Sequence, residues 1–418
     1  VNKLNPDKGT FERYYVNKAM DNPVARNSFN VLLEDEEGVF WAGTEGGLFK
    51  FDKNTGNFEL ATELMISNNR LTSGSIRAMD QKRGKIVWVG TLQGLLKIQK
   101  NLKNFNLFKN NQNNKPLFDN NIIASIFKQD ENRIWIGTWN SGLYIFNPHT
   151  LETIHYTDSK SFIPDNNIHS LFKDSKNRLW IGTQNGVSYY DIDSKSFHSM
   201  KGGRVQQIFG GNRIYSMDED SGGNIWFGTR NGLHMLNEDN EFINYYHKSY
   251  NKNSLSSDFV YDVMADSKGN IWVATTQGLN RYDRDENKFY HYIRNSTACD
   301  NCLVNNEVLS LHEDTAGIIW IGTVGGLTRF NTKDSIFKSY TEKDGLPNNM
   351  IYSILQDNIG NLWLSTNLGI SKFSPKTEEF TNFSIYDGLQ NYEFNHLSAY
   401  KAEDGELFFG GISGLNSF

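Results

Sequence analysis

The sequence predicts an all-β chain folded as a β-propeller of four-stranded antiparallel blades, and three observations predict it. First, a pattern of apolar-Trp-apolar-Gly-Thr, two variable residues and Gly-Leu recurs along the 418 residues; Ile271-Trp272-Val273-Ala274-Thr275-Thr276-Gln277-Gly278-Leu279 is one copy, with Ala for the first Gly. Second, the repeat is regular. Trp41, Trp88, Trp135, Trp180, Trp226, Trp272, Trp320 and Trp363 hold the key slot and Phe408 holds the ninth, at intervals of 47, 47, 45, 46, 46, 48, 43 and 45 residues. Third, each repeat divides into four short strand-like runs separated by turn formers. A period in the forties built of short strands means propeller blades.

One repeat, Asn253 to Tyr292, justifies each element. Phe259 to Ala265 is β-branched and aromatic, a first strand with apolar residues on both sides. Asp266-Ser267-Lys268-Gly269-Asn270 is a turn, in which Asp caps backbone amides and Gly supplies positive φ. Ile271–Thr275 is the second strand, Leu279–Tyr282 the third and Lys288–Tyr292 the fourth. Blades pack face to face, so a strand carries apolar residues on both faces. Trp fills the gap between neighbouring blades, and the Gly two residues later leaves room for the next blade. The Asp six residues before the Trp slot recurs at Asp35, Asp174, Asp220, Asp266, Asp314 and Asp357. These carboxylates repeat with the blades, so they lie apart on a ring and serve turns, not catalysis or metal.

The repeat count gives nine blades in a single domain, 1–418. An outer-strand aromatic recurs at Phe11, Phe58, Phe105, Phe197, Phe242, Phe289, Phe337 and Phe380, with Ile154 in the remaining blade. Phe11-Glu12-Arg13-Tyr14 precedes any first strand, while the last unit stops at Asn416-Ser417-Phe418 without a fourth. The expectation is one closed nine-bladed ring whose N-terminal strand completes the last blade, which removes open edges. The alternative is a seven-bladed ring plus two blades of a neighbouring ring. Val1-Asn2-Lys3-Leu4 and Gly414-Leu415-Asn416 both look like third strands, one more than nine blades need.

Composition narrows the function. A formal charge of -6 argues against nucleic-acid binding, which wants a basic face. No run of 18 apolar residues is present, so no direct membrane insertion is expected. No signal peptide is visible, and Val1 opens directly into strand-like sequence, as a mature or excised segment would.

The pattern Asp-x-x-Gly-Asn-[Ile/Leu]-Trp-[Ile/Val/Leu]-Gly-Thr-x-x-Gly-Leu, with Gly345-Leu346-Pro347-Asn348-Asn349 before a strand, resembles the two-component regulator propeller repeat. Gly388-Leu389-Gln390-Asn391-Tyr392-Glu393-Phe394-Asn395, followed by Gly405-Glu406-Leu407-Phe408-Phe409-Gly410-Gly411, is similar to the last blade of such sensors. The resemblance implies the extracytoplasmic sensor propeller of hybrid two-component histidine kinases, a periplasmic or extracellular location, a glycan ligand, and a fused kinase output that this chain does not carry. Seven-bladed rings are usual in that family, against nine repeats here.

In a propeller, the loops entering the first strands share one face with the turns between second and third strands, so ligand residues are expected there. The turns offer amides and hydroxyls suited to a sugar: Gln93, Asn140, Gln184, Gln277 and Asn367, with Glu45 and Arg230 as charged members. Ordinary turn chemistry accounts for the same residues. Trp139, the one Trp outside the repeat slot, can stack on a sugar ring, anchor a partner or pack on a loop. Arg230 suits a uronate or sulfate, or is a solvated turn residue. Cys299 and Cys302 are a disulfide candidate, since zinc would need two more ligands and a redox motif a following helix. No cofactor or metal is expected. The scattered histidines show no metalloprotease spacing, and there is no nucleophile elbow or phosphate loop. The reading is a non-enzymatic propeller that recognises a carbohydrate. A protein-interaction scaffold is the alternative, and a propeller glycosidase or lyase, with Glu45, Glu307 or Glu393 as its carboxylates, is the third.

Overall fold

The computed structural model describes residues 1–16, 23–35, 38–53, 55–61, 74–82, 86–92, 94–99, 105–110, 116–200, 203–295, 299 and 301–418. They form two compact units, Val1–Asn104 and Phe105–Phe418, where the repeats read as a single domain.

The second unit holds seven four-stranded antiparallel sheets. The first six blades are built in chain order, each strand pairing with the next; the fourth, for example, runs Val260–Ala265, Ile271–Thr275, Gly278–Asp283, Lys288–Tyr292. The seventh takes three strands, Phe394–Lys401, Leu407–Gly411 and Gly414–Ser417, from the end of the chain. Its outer strand, Asn106–Phe108, comes from the start of the unit, with Asn106 opposite Ser417 and Phe108 opposite Leu415.

The inter-blade fit follows from the small residue after each Trp. A Cβ added to Gly137 would lie 2.6 Å from Cγ2 of Ile168, the first residue of the next blade. Gly182 meets Ile214, Gly228 meets Val260 and Gly322 meets Ile351 in the same way, each at 2.9 Å. Gly410 of the seventh blade meets Ile123 of the first at 2.7 Å, so the same contact closes the ring. Ser398 Oγ and Asn395 Nδ2 both donate to the Ile123 carbonyl, and Lys128 pairs with Asp404 and Glu406 across the seam. The first and seventh blades share one apolar cluster that includes Ile123, Ile136, Phe408 and Leu415.

The first unit contains a hairpin, Asn2–Asn5 with Thr10–Arg13, a four-stranded sheet over Phe29–Leu60, and three strands, Ile76–Lys82, Ile86–Thr91 and Gly94–Gln99. Among the described residues nine strands carry the Trp slot, in agreement with the repeat count. The closure differs from the expectation. Phe11 lies in the hairpin, 64% exposed, and does not complete the last blade. Phe105, read from its spacing as the outer aromatic of the Trp88 repeat, is instead 3% exposed among Trp363, Phe383 and Phe418. The physical reason is that all outer strands carry the same aromatic signal, and pairing is settled by which sheet edge that strand reaches. The ring size is that of the alternative, seven blades closed within Phe105–Phe418, and the first unit holds two further blade units.

The Trp slot is the wedge the repeat implies: Trp41, Trp135, Trp180, Trp226, Trp272 and Trp320 are all fully buried. The recurrent Asp does more than cap its turn. Asp266 accepts from the Lys268 and Asn270 amides with Oδ1 and from the Trp272 indole with Oδ2 at 2.8 Å. Trp41, Trp180, Trp226, Trp320 and Trp363 each bond the Asp six residues earlier in the same way, and Gln129 substitutes for Trp135. The Thr after the small residue closes the following turn by donating to the carbonyl of the second Gly, as Thr275 does to Gly278 at 2.8 Å. Gly278 sits there at φ 113, where a side chain would be strained.

Candidate functional site: the mouth of the ring

The mouth is assembled by a hydrogen bond that repeats with the blades. In the first five blades of the ring, the first residue of the turn between second and third strands donates its amide to the carbonyl of the residue just before the first strand. Trp139 bonds Ile122, Gln184 bonds Asn167, Arg230 bonds Arg213, Thr276 bonds Phe259 and Val324 bonds Glu307, at 3.0–3.3 Å. Turn residues and strand-entry residues are thereby held side by side on one rim. The β-branched residue that packs under the neighbouring blade also fixes its flanking positions. At Ile168, Ile214 and Val260 the side chain turns sideways into the blade interface, and a β-bulge follows, so His169, Tyr215 and Tyr261 are the extra residues of their first strands and leave the sheet's alternation to join the cluster at the ring's centre.

These positions form a continuous aromatic cluster. Trp139 lies edge-on to His169 with ring centres 6.1 Å apart, and His169 neighbours Tyr215 at 6.4 Å. Tyr215 reaches Phe259 at 5.2 Å and Tyr261 at 5.9 Å. His396 meets Tyr261 at 5.2 Å and Tyr215 at 6.2 Å. It arrives there because the first strand of the seventh blade has a register break between Phe394 and Ala399, with Leu397 at φ 52. This bulge carries the imidazole to the fifth blade, where Nε2 donates to the Leu309 carbonyl at 2.7 Å. A carbonyl only accepts, so Nε2 carries the proton and Nδ1 keeps its lone pair.

Burial sets the charge state. The His396 pKa is pushed down to about 4 by desolvation, opposed by its bond to Leu309. His169 is likewise pushed to about 4, by burial first and by the Arg213 charge second. Both rings are neutral at pH 7. Burial raises the Tyr261 phenol, helped by its bond to Glu307 Oε1 at 3.0 Å. The Arg213 guanidinium lies 5.8 Å from the Trp139 ring and 5.5 Å from Tyr215, and its Nε donates to Gln184 Oε1 at 2.7 Å.

The residues read from sequence do not all come together. Trp139 and Gln184 meet in this cluster. Trp139 keeps 40% of its surface exposed, and Gln184 anchors Arg213. Asn140, Arg230 and Gln277 are exposed on the same rim, Asn140 at φ 61 with its amide on Asn167 Oδ1. Asn367 is engaged further round, accepting from Tyr352 at 2.7 Å and donating to Met350 Sδ. Glu45 belongs to the first unit, where it accepts from Asn30 and pairs with Arg77 at 3.0 Å, and Gln93 lies outside the described residues. Cys299 and Cys302 are joined by a disulfide in the loop entering the fifth blade. Glu307 is held by Tyr261, and Glu393 is exposed.

Sequence reasoning missed His169, Arg213, Tyr215, Phe259, Tyr261 and His396. The available signal was position: each of the first five flanks the β-branched first-strand residue, a slot that also holds Ile122, Ala124, Asn167, Glu307, Leu309, Met350 and Tyr352 around the ring. A separate concavity, lined by Asp130, Asn132, Arg133, Ile145, Asn147 and Ile154, lies at the opposite rim of the first blade. Its arginine is neutralised by Asp130, so it offers no convergent free groups. Among the described residues no group of three or more His, Cys, Asp or Glu is placed to hold a metal ion, and no helix is long and apolar enough to cross a membrane.

The comparisons agree with this architecture. A solved structure, the extracellular domain of a putative hybrid two component system from B. thetaiotaomicron, aligns with all of this chain at 23% identity and a TM-score of 0.65; the chain spans 58% of its length. Catalytically inactive virginiamycin B lyase from Staphylococcus aureus with quinupristin aligns over 75% of this chain and 98% of its own, at 13% identity and a TM-score of 0.56. The WD40 propeller domain of Doa1 aligns over 75% and 96%, at 12% identity and 0.54. At these identities the likeness is one of fold. No curated protein matches the sequence. The model of the two-component regulator propeller matches residues 116–140, 163–185, 208–231, 254–277, 302–325 and 345–368, one segment in each of the first six blades of the ring. The chain therefore carries two-component regulator propeller repeats, one in each of these six blades.

Proposed function

We propose that this propeller is the non-enzymatic, extracytoplasmic sensor portion of a two-component signalling system, and that it binds a carbohydrate at the mouth of the seven-bladed ring. The observation that carries the reading is Trp139, an indole on the rim that keeps 40% of its surface exposed beside His169 and Arg213. A rigid aromatic face takes the C–H face of a sugar, and the surrounding amides, phenols and imidazoles supply donors and acceptors for its hydroxyls. His396 and Tyr261 are already bonded to protein groups, so they form a fixed floor and the exposed rim residues supply selectivity. A kinase output, fused or separate, would read the bound state. Glycan-array binding of the wild-type chain and Trp139→Ala tests the proposal. A wild-type signal lost in the variant is expected, and the absence of any glycan signal from the wild type would sink it.

A further inference from the structure

We infer that the saccharide recognised at the ring mouth is anionic, bearing a carboxylate or sulfate that Arg213 receives; this rests on the carbohydrate reading above. Arg213 is a preorganised cation. Gln184 takes its Nε–H, and the rings of Trp139 and Tyr215 flank the guanidinium at 5.8 and 5.5 Å. No carboxylate among the described residues forms an ion pair with it. Three other arginines of the ring are neutralised: Arg133 by Asp130, Arg178 by Asp174 at 2.6 Å and Arg284 by Asp220 at 2.6 Å. Of the nearby rim carboxylates, Glu307 is engaged by the Tyr261 hydroxyl, and Asp165 accepts from Asn167 and Asn185.

A half-buried guanidinium without a counterion is unfavourable, and an incoming anion relieves it. Its remaining N–H groups form a planar fork that matches a carboxylate or sulfate edge. A second, independent observation points to the same place. His169 is 8% exposed, and its Nε2 is buried without a hydrogen-bond partner beside Trp139. A neutral imidazole with a free ring nitrogen can bond a sugar hydroxyl next to the anion. Arg230 stands beside Arg213 through the Arg230 amide to Arg213 carbonyl bond of 3.0 Å, with its side chain exposed and in no ion pair among the described residues. The rim therefore presents the Arg213 guanidinium against an exposed indole, with Arg230 exposed on the adjoining turn: charge for the acid, a flat face for the pyranose.

The test measures binding of the whole chain to size-matched neutral, uronate-bearing and sulfated oligosaccharides, with Arg213→Gln, Arg213→Lys and Trp139→Ala as variants. Acidic ligands should bind more tightly than the neutral one, and increasingly weakly as salt is raised. Arg213→Gln should cost on the order of tenfold to hundredfold, as charge-assisted hydrogen bonds do. Arg213→Lys should recover part of that loss. The uronate and sulfate arms separate the two sources of negative charge, and a preference for either supports the inference. The salt dependence of wild-type binding decides between acidic and neutral recognition even if Arg213→Gln fails to fold. Preference for the neutral ligand, unaffected by Arg213→Gln or by salt, overturns the anionic inference while leaving carbohydrate recognition standing. No binding to any arm overturns both.

Discussion

Replacing Phe105 by Ala should destabilise the ring by about 3–5 kcal/mol, the usual cost of emptying a buried Phe site. The structure sets that magnitude. Phe105 is 3% exposed, with its ring 4.7 Å from Phe418, 5.2 Å from Phe383 and 6.4 Å from Trp363. Phe418 ends the seventh blade, whereas Phe383 and Trp363 belong to the sixth, so one side chain holds an outer strand to its own sheet and that sheet to its neighbour. The matched control is Phe11→Ala. Phe11 is 64% exposed in a two-stranded hairpin, and its loss should stay within about 0.5 kcal/mol. Urea unfolding followed by tryptophan fluorescence reports both, on the whole chain and on residues 105–418 alone. That fragment should fold without Val1–Asn104, because its seventh blade draws its outer strand from Asn106–Phe108. A neutral Phe105→Ala, or a Phe11→Ala as costly as Phe105→Ala, would refute closure by the Phe105 strand.

Asp266→Ala should cost about 2–4 kcal/mol, since it strands the buried Trp272 indole N–H and two turn amides. Chemical unfolding of a double-mutant cycle with Trp272→Phe should show the cost falling by about 1 kcal/mol or more, and strict additivity would remove the indole bond from the account. His396 should stay neutral down to about pH 4, so its imidazole NMR shifts should not move between pH 7.5 and 5. The sign of the linkage follows: the unfolded chain takes up this proton near 6.5 and the folded chain refuses it until about 4, so stability is lost as pH falls across that window. His396→Gln should flatten the decline, and an imidazole titrating near 6.5 in the folded protein would show that the ring is not buried as described.

The blade was legible in the sequence because the rules that build it are local. Asp266, six residues before Trp272, caps a turn whose length is set by Gly269, and Thr275 closes the next turn on Gly278. Spacing alone reports such contacts, and their recurrence every 43–48 residues reports the propeller. The rim was legible as a set of turn positions, of which Trp139 and Gln184 fall in the cluster.

Tertiary structure alone decided how many blades close a ring and which side chains share its mouth. Phe11 and Phe105 carry the same outer-strand signal, and nothing nearby in the chain distinguishes them. The choice rests on pairing between Asn106–Phe108 and Leu415–Ser417, and on Gly410 receiving Ile123, contacts that join opposite ends of the ring. His169, Arg213, Tyr215 and Tyr261 read in sequence as ordinary strand residues. They become a site because seven curved sheets converge and a bulge at Leu397 swings His396 across to the fifth blade. Local chemistry wrote the repeat, and long-range packing chose its closure and gathered its mouth.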